Sequence, residues 1–231
     1  MPGYDAVLVA GASGGTGLEV LDVLADRDPT VRALTRDAAN EDTLGDEGAD
    51  DVVVGDLLEP ADAERAVESV DAVVCCVGSS IRAVLTADEL VDGPGVVNLA
   101  QAAADAGVER FVFQSAIGVG NSRERAPLWY RLPIDRTLEA KGRAEATLRS
   151  LEPAHTIVRP GVLTNGPARG SPLVAEGGDT VFGLVSRADV ARLLVAALWT
   201  PASVGRTFEV VSPRWTWGTV SGTVDVDWAD V

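Results

Sequence analysis

The sequence predicts an α/β fold: one doubly wound parallel sheet with helices on both faces. Three observations predict it. Short, continuously apolar runs recur along the 231 residues. Stretches with apolar residues at helical spacing separate them. A glycine-rich turn directly follows the first run. Strands buried on both faces need apolar side chains at every position, and parallel strands need helical crossovers between them.

Each element can be justified in order. Residues 5–10 (DAVLVA) read as a buried strand, and 15–27 as a helix with Leu18, Leu21 and Leu24 on one face. VRALT at 31–35, an acidic helical stretch near 38–47 and DDVVV at 50–54 follow. A helix near 60–69 leads to DAVVCCV at 71–77, and a helix near 94–106 leads to RFVFQS at 110–115. A helix near 136–150 precedes HTIVR at 155–159, and a helix near 187–199 precedes RTFEVV at 206–211. Two stretches fall outside the alternation, the loops 116–134 and 160–186. Both follow strands, so both are expected over the carboxyl ends of the sheet as a small, loop-built substrate lid. The chain reads as a single domain over 1–231, with its core at about 5–211 and a tail at 212–231. The tail's alternation from Thr219 to Trp228 fits a late edge strand, and a loose acidic tail fits equally well.

Composition narrows the partners. Nineteen basic and 35 acidic residues give a net charge of −16. Such a surface repels nucleic-acid backbones and anionic lipid, so neither nucleic acid nor membrane is an expected partner. Eighteen of the 19 basic residues are arginine, and Lys141 is the only lysine. An acidic, nearly lysine-free surface stays hydrated in concentrated salt, which points to a halophilic protein. Cys75 and Cys76 are adjacent and would point to opposite faces of a strand, so they read as small apolar residues of a reduced protein. No secretory signal pattern is read at the start of the chain, and the expected location is cytoplasmic. The acidic residues do not cluster at metal-ligand spacing, and no metal is expected. No GxSxG elbow supports a serine hydrolase.

The chemistry concentrates at Gly11-Ala12-Ser13-Gly14-Gly15-Thr16-Gly17, a GxxGxxG pattern between strand and helix. Gly11 allows the tight turn. Gly14 and Gly15 let backbone amides approach a diphosphate, beside Ser13 and Thr16, and Gly17 lets the helix pack on the strand. A diphosphate would then lie at the positive end of the helix. The pattern therefore predicts a Rossmann-like dinucleotide site. The second strand ends at Thr35-Arg36, with Asp37 one place later. An acidic residue at the strand end would favour NAD, whereas the Arg36 fork of donors suits a 2′-phosphate. NADP is the expected cofactor, with NAD as the alternative.

These segments together resemble the atypical short-chain dehydrogenase/reductase superfamily, and within it the small NAD(P)-binding, NmrA-like group. The resemblance runs from about residue 5 to 211 and is carried by VLVAGASGGTG, GDLLEP, VVCCVGS, GVERFVFQSAIG, AKGRAEATLRSLEPAHTIVRPGVL and SRADVA. It implies that Asp56 and Leu57 lie beside the adenine, and that Val77, Gly78 and Ser79 lie under the ribose and diphosphate. It also implies that the Arg159-Pro160-Gly161 turn, with Val162, runs past the nicotinamide. Ser115 matches the family's catalytic serine, and Lys141 matches the lysine that binds the ribose. The family's tyrosine, four residues before that lysine, is replaced by Thr137. A threonine hydroxyl is a poor general acid at neutral pH, so the usual proton relay is in question. Tyr130, in the loop above the site with Leu128, Trp129 and Leu132, is a substitute candidate, although a lid or packing role suits its apolar neighbours better. The resemblance further implies that the late helix can pair subunits into a homo-oligomer.

The expected activity is an NADP-dependent oxidoreductase passing hydride to a small, largely apolar acceptor without the usual tyrosine. The alternative is a non-catalytic, NmrA-like dinucleotide sensor or scaffold. An epimerase or dehydratase is less favoured because it needs the tyrosine and a larger substrate lobe. His155, the only histidine, reads as structural, and Asp92 and Asn98 read as capping or packing residues at a helix start.

Overall fold

A computed structural model describes residues 3–151 and 153–231. The first half alternates β1 (Ala6–Ala10), α1 (Gly15–Leu24), β2 (Thr30–Thr35), α2 (Glu41–Asp46), β3 (Asp51–Val54), α3 (Pro60–Ala66) and β4 (Ala72–Cys75). Then come α4 (Ile81–Thr86), α5 (Pro94–Asp105), β5 (Arg110–Gln114), α6 (Leu128–Arg131), α7 (Asp135–Leu148) and β6 (Ala154–Pro160). The chain continues through β7 (Val162–Thr164), β8 (Leu173–Glu176), β9 (Leu184–Ser186), α8 (Arg187–Leu198) and β10 (Arg206–Val211).

The main sheet has eight strands in the order β3-β2-β1-β4-β5-β6-β10-β8, parallel except for β8 at the edge. The order reverses between β1 and β4, so a crevice opens there at the carboxyl ends of the strands. Each face buries its own core. On one face α1 and α8 pack on the sheet through Val20, Leu21, Leu24, Val190 and Leu194. On the other, α3, α5 and α7 cover Leu8, Val73, Phe111 and Phe113.

The predicted strands and crossover helices appear within a few residues of their expected bounds; the stretch expected as one helix near 38–47 is a 3-10 turn, Ala38–Asn40, followed by α2. The two loops are more ordered than expected. The first contains α6. The second contributes β7 and β9, which form a separate two-stranded sheet, and β8, which joins the main one. The tail is neither a full edge strand nor loose. It touches the sheet by isolated bridges, Ala175 with Thr223 and Gly183 with Thr216, and it seats Trp228 against Phe208 at 5.3 Å between ring centroids. Val224, Val226 and Trp228 pack onto the core that α8 helps to build. Helix α8, the helix implied to pair subunits, is buried from Ala188 to Leu198 except at Arg192. Among the described residues no helix is long and apolar enough to cross a membrane.

Candidate functional site

The turn after β1 is built by glycine for two separate reasons. Gly11 adopts φ +78°, and a Cβ there would stand 2.9 Å from the backbone at Cys76 and Val77. Gly17 has no room at all, because its Cβ would meet the Gly11 carbonyl oxygen at 2.2 Å. The Gly14 amide donates to the Gly11 carbonyl, closing the turn at 3.0 Å. Gly14 is also the N-cap of α1. It offers no capping side chain, and the first turn of α1 holds no acidic residue. The first amides of α1 therefore stay open to an external anion.

This turn forms one wall of a cleft of about 410 Å³ at the β1/β4 reversal. Gly11, Ser13, Gly14, Arg36, Asp56, Leu57, Val77, Gly78 and Ser79 all line it, so the sequence reading brings these nine residues to one place. Gly15, Thr16 and Gly17 continue into the first turn of α1, with Thr16 and Gly17 buried and Gly15 exposed. Arg36 is exposed and has no hydrogen bond or ion pair among the described residues. Asp37 does not neutralise it, because the Asp37 carboxylate accepts from the Ala39 amide at 3.0 Å and caps the 3-10 turn that follows. One Asp56 oxygen accepts from the Leu58 amide. Asn98, on α5, donates to the Leu57 carbonyl at 2.9 Å and so fixes this edge of the cleft. The residues present fit a dinucleotide: a glycine cradle with open amides, an apolar pocket at Leu57, and an unpaired guanidinium at the β2 end.

Ser115, Lys141, Tyr130, Pro160, Gly161 and Val162 do not line this cleft. They stand at or near the carboxyl ends of β5 and β6. Gly161 is required by packing, since a Cβ would meet the Gly183 carbonyl oxygen at 2.2 Å. The Gly161 amide donates to Val210, and the Val162 amide donates to Gly183. Pro160 and Gly161 are buried and Val162 is half-buried.

Lys141 is buried rather than open to the cleft. Its ammonium donates to the Val77 carbonyl at 2.9 Å and the Gln114 carbonyl at 3.1 Å, and stands 3.3 Å from the Asp92 carboxylate. Asp92 is not the cap of α5, whose N-cap is Gly93. It is fully buried, and its second oxygen accepts from the Ser79 amide at 2.8 Å. The pair thus holds the segment 77–79, the floor of the cleft, from below.

Ser115 is committed elsewhere. Its hydroxyl donates to Glu145 at 2.6 Å. The Glu145 carboxylate also accepts two bonds from Arg159, at 2.9 and 2.6 Å, and one from Arg149. Burial works to raise the Glu145 carboxyl, but the Arg159 bonds and charge, helped by Ser115 and Arg149, outweigh it and hold the group below its usual range. Thr137, at the tyrosine position, keeps a buried hydroxyl with no hydrogen-bond partner among the described residues. Tyr130 packs edge-on against Phe182 at 5.2 Å between centroids, and burial pushes its phenol up to about 12. Trp129 and Trp217 complete the aromatic group. Its outer members, Trp129 and Trp217, are exposed, as are Leu128 and Leu132.

The sequence reading missed Asp92 and Glu145 as site residues, and it placed Arg159 in the turn past the nicotinamide without its pairing to Glu145. Glu145 and Arg159 are charged residues beside apolar ones in a predicted helix and a predicted strand, and that was the available signal; Asp92, just before a predicted helix, carried none beyond a cap.

Residues 11–201 match the family model described as NAD(P)H-binding. The chain is 30% identical to an uncharacterized sugar epimerase of Bacillus subtilis, over 88% of this chain and 92% of that protein. It is 26% identical to sanguinarine reductase of Eschscholzia californica, over 89% of this chain and 88% of that one. Among solved structures, a candidate NAD-dependent epimerase/dehydratase of Bacillus halodurans superposes with a TM-score of 0.78 at 28% identity, covering 94% of this chain and 96% of that chain.

Proposed function

This chain belongs to the NAD(P)H-binding family of atypical short-chain dehydrogenase/reductase type, and we propose that it is an oxidoreductase that prefers NADP and reduces a small, largely apolar acceptor. The observation that carries the reading is the cleft at the β1/β4 reversal, where glycine turn, adenine edge and Arg36 converge. Bound dinucleotide would supply the hydride. Every other requirement falls on the protein's own residues.

Arg36 supports the NADP preference because Asp37 is occupied as a cap and leaves the guanidinium free. The aromatic group of Trp129, Tyr130, Phe182 and Trp217 supports an apolar acceptor, since it offers flat, apolar surface beside the carboxyl ends of β5 and β6. The proton balance supports the same acceptor class. The Ser115 hydroxyl donates its hydrogen bond to Glu145, Thr137 stands where a tyrosine would act, and the Tyr130 phenol is too weak an acid at neutral pH. A two-electron reduction that needs hydride from the cofactor and a proton from solvent suits a quinone, a flavin or a conjugated carbonyl. Lys141 then serves the cofactor from beneath, through the Val77 carbonyl. The relative that is a reductase agrees with this direction. The −16 charge and the 18 arginines beside one lysine support work in a salt-rich cytosol.

A second reading, a non-catalytic dinucleotide sensor, draws on the same commitment of Ser115 to Glu145. Loss of reduced-nicotinamide absorbance with NADPH and a panel of quinones, flavins and enones separates the two. Turnover with any of them supports the reductase. Tight NADPH binding with no turnover across the panel supports the sensor.

A further inference from the structure

We propose that Arg187, the first residue of α8, supplies the cation that grips the dinucleotide's diphosphate, and that Gly15 is glycine in order to admit it. This inference rests on the dinucleotide reading of the cleft.

The glycines of the turn differ in what requires them. Gly11 and Gly17 are held by backbone atoms. Gly15 is not. The nearest atoms to a Cβ there are all from one side chain: Arg187 Cδ at 2.9 Å, Nε at 3.0 Å and Cζ at 3.7 Å. The backbone at Gly15 is ordinary helix start, where almost any residue would fit. What excludes a side chain is the arginine laid across it.

The charge of that arginine is also unspent. Arg187 Nη1 donates to the Asn165 carboxamide oxygen at 2.6 Å, an exposed contact, and the guanidinium has no carboxylate within ion-pair distance among the described residues. Arg32, Arg65, Arg123, Arg149, Arg159 and Arg206 do have one. Other arginines, Arg36 among them, also lack a carboxylate partner among the described residues; what sets Arg187 apart is that its guanidinium lies across Gly15, where an anion on the open amides of α1 would meet it.

Two sources of positive potential therefore meet at Gly15: the uncapped amides of α1 and the guanidinium of Arg187. The framework between them is rigid. Ser186 caps α8, its hydroxyl accepting from the Asp189 amide, and α8 packs along α1. Only the arginine side chain has to turn, exchanging Asn165 for phosphate oxygens. A diphosphate can take the amides on one side and the planar fork on the other.

Calorimetric titration of the full chain with NADPH and with NADH, alongside the melting temperature without ligand, tests this. Arg187→Ala is expected to melt near the wild type and to bind both dinucleotides at least about tenfold more weakly, about 1.4 kcal/mol. Arg187→Gln, which can still reach Asn165, should show the same loss, and Arg187→Lys a smaller one. Gly15→Ala should weaken binding by displacing the guanidinium, and the double variant Gly15→Ala/Arg187→Ala should be no worse than Arg187→Ala alone. Wild-type affinity in Arg187→Ala and Arg187→Gln, or losses at the two positions that simply add, would overturn the proposal. A wild-type chain that binds neither dinucleotide would instead bring down the cleft reading itself, and this inference with it.

Discussion

Lys141 and Asp92 face each other at 3.3 Å between Nζ and Oδ1, with both groups sealed from solvent. They are 49 positions apart in sequence, and each holds a different piece of the cleft floor: the lysine the Val77 carbonyl, the aspartate the Ser79 amide. A buried pair of this kind is costly to break from one side, because the remaining charge loses its partner without regaining water.

Asp92→Ala is therefore expected to destabilise the chain by about 3–5 kcal/mol, and Asp92→Asn by less, since the amide oxygen can still accept from Ser79. Removing both charges, Asp92→Ala with Lys141→Met, should recover part of the loss. Urea unfolding of the wild type, Asp92→Ala, Lys141→Met and the double variant measures it, and fully additive losses would show that the two groups do not depend on each other. Lys141→Met alone should also weaken NADPH binding, because it frees the Val77 segment.

The Glu145 cluster gives a pH dependence. The folded carboxyl lies below its unfolded value of ~4.3, so its contribution to stability is complete above that value and is lost as the pH falls through the lower folded value. Glu145→Gln should be markedly less stable than wild type at neutral pH, by about 3–5 kcal/mol, and the gap should close in acid. Thermal melts between pH 7 and pH 3 check the sign (roughly the window set by ~4.3 and below). A gap that widened in acid would contradict the assignment.

Arg36→Ala should weaken NADPH about tenfold and leave NADH almost unchanged, since the charge-assisted bonds to a 2′-phosphate are worth roughly 1.5–3 kcal/mol in total. Equal losses for the two cofactors would place Arg36 away from the ribose.

The two thiols should be inert in the folded chain. Burial pushes Cys75 up to about 11 and raises Cys76 further, so neither is a thiolate at neutral pH. Iodoacetamide should label both only after unfolding. Rapid labelling of either in the native protein would mean that the ends of β4 open readily.

The frame of the fold was legible because its signals are local. Apolar runs such as AVLVA and AVVC declare buried strands, and GxxGxxG declares the turn that follows the first of them. The cleft followed from these, since fixed strand order places the ends of β1, β2 and β4 together. What escaped was set by contacts between distant segments. Asp92 looked like a helix cap because helix starts attract aspartate, and only the arrival of α7 makes it the partner of Lys141. Helix α4 escaped because six residues with Ile81 and Leu85 exposed and Val84 buried show no amphipathic pattern, although Ser80 caps it as serine should. The strands within 160–186 are three or four residues long, too short for alternation to register. Only the packing of the tail on β8 and β10 shows that Trp228 belongs to the core.

The most direct test of the whole account is a crystal structure of the chain grown with NADPH. The account predicts the diphosphate on the amides of Gly15 and Thr16, the adenine beside Asp56 and Leu57, and the 2′-phosphate at Arg36. A cleft closed by its own side chains in those crystals, or a nucleotide bound anywhere else on the chain, would contradict it.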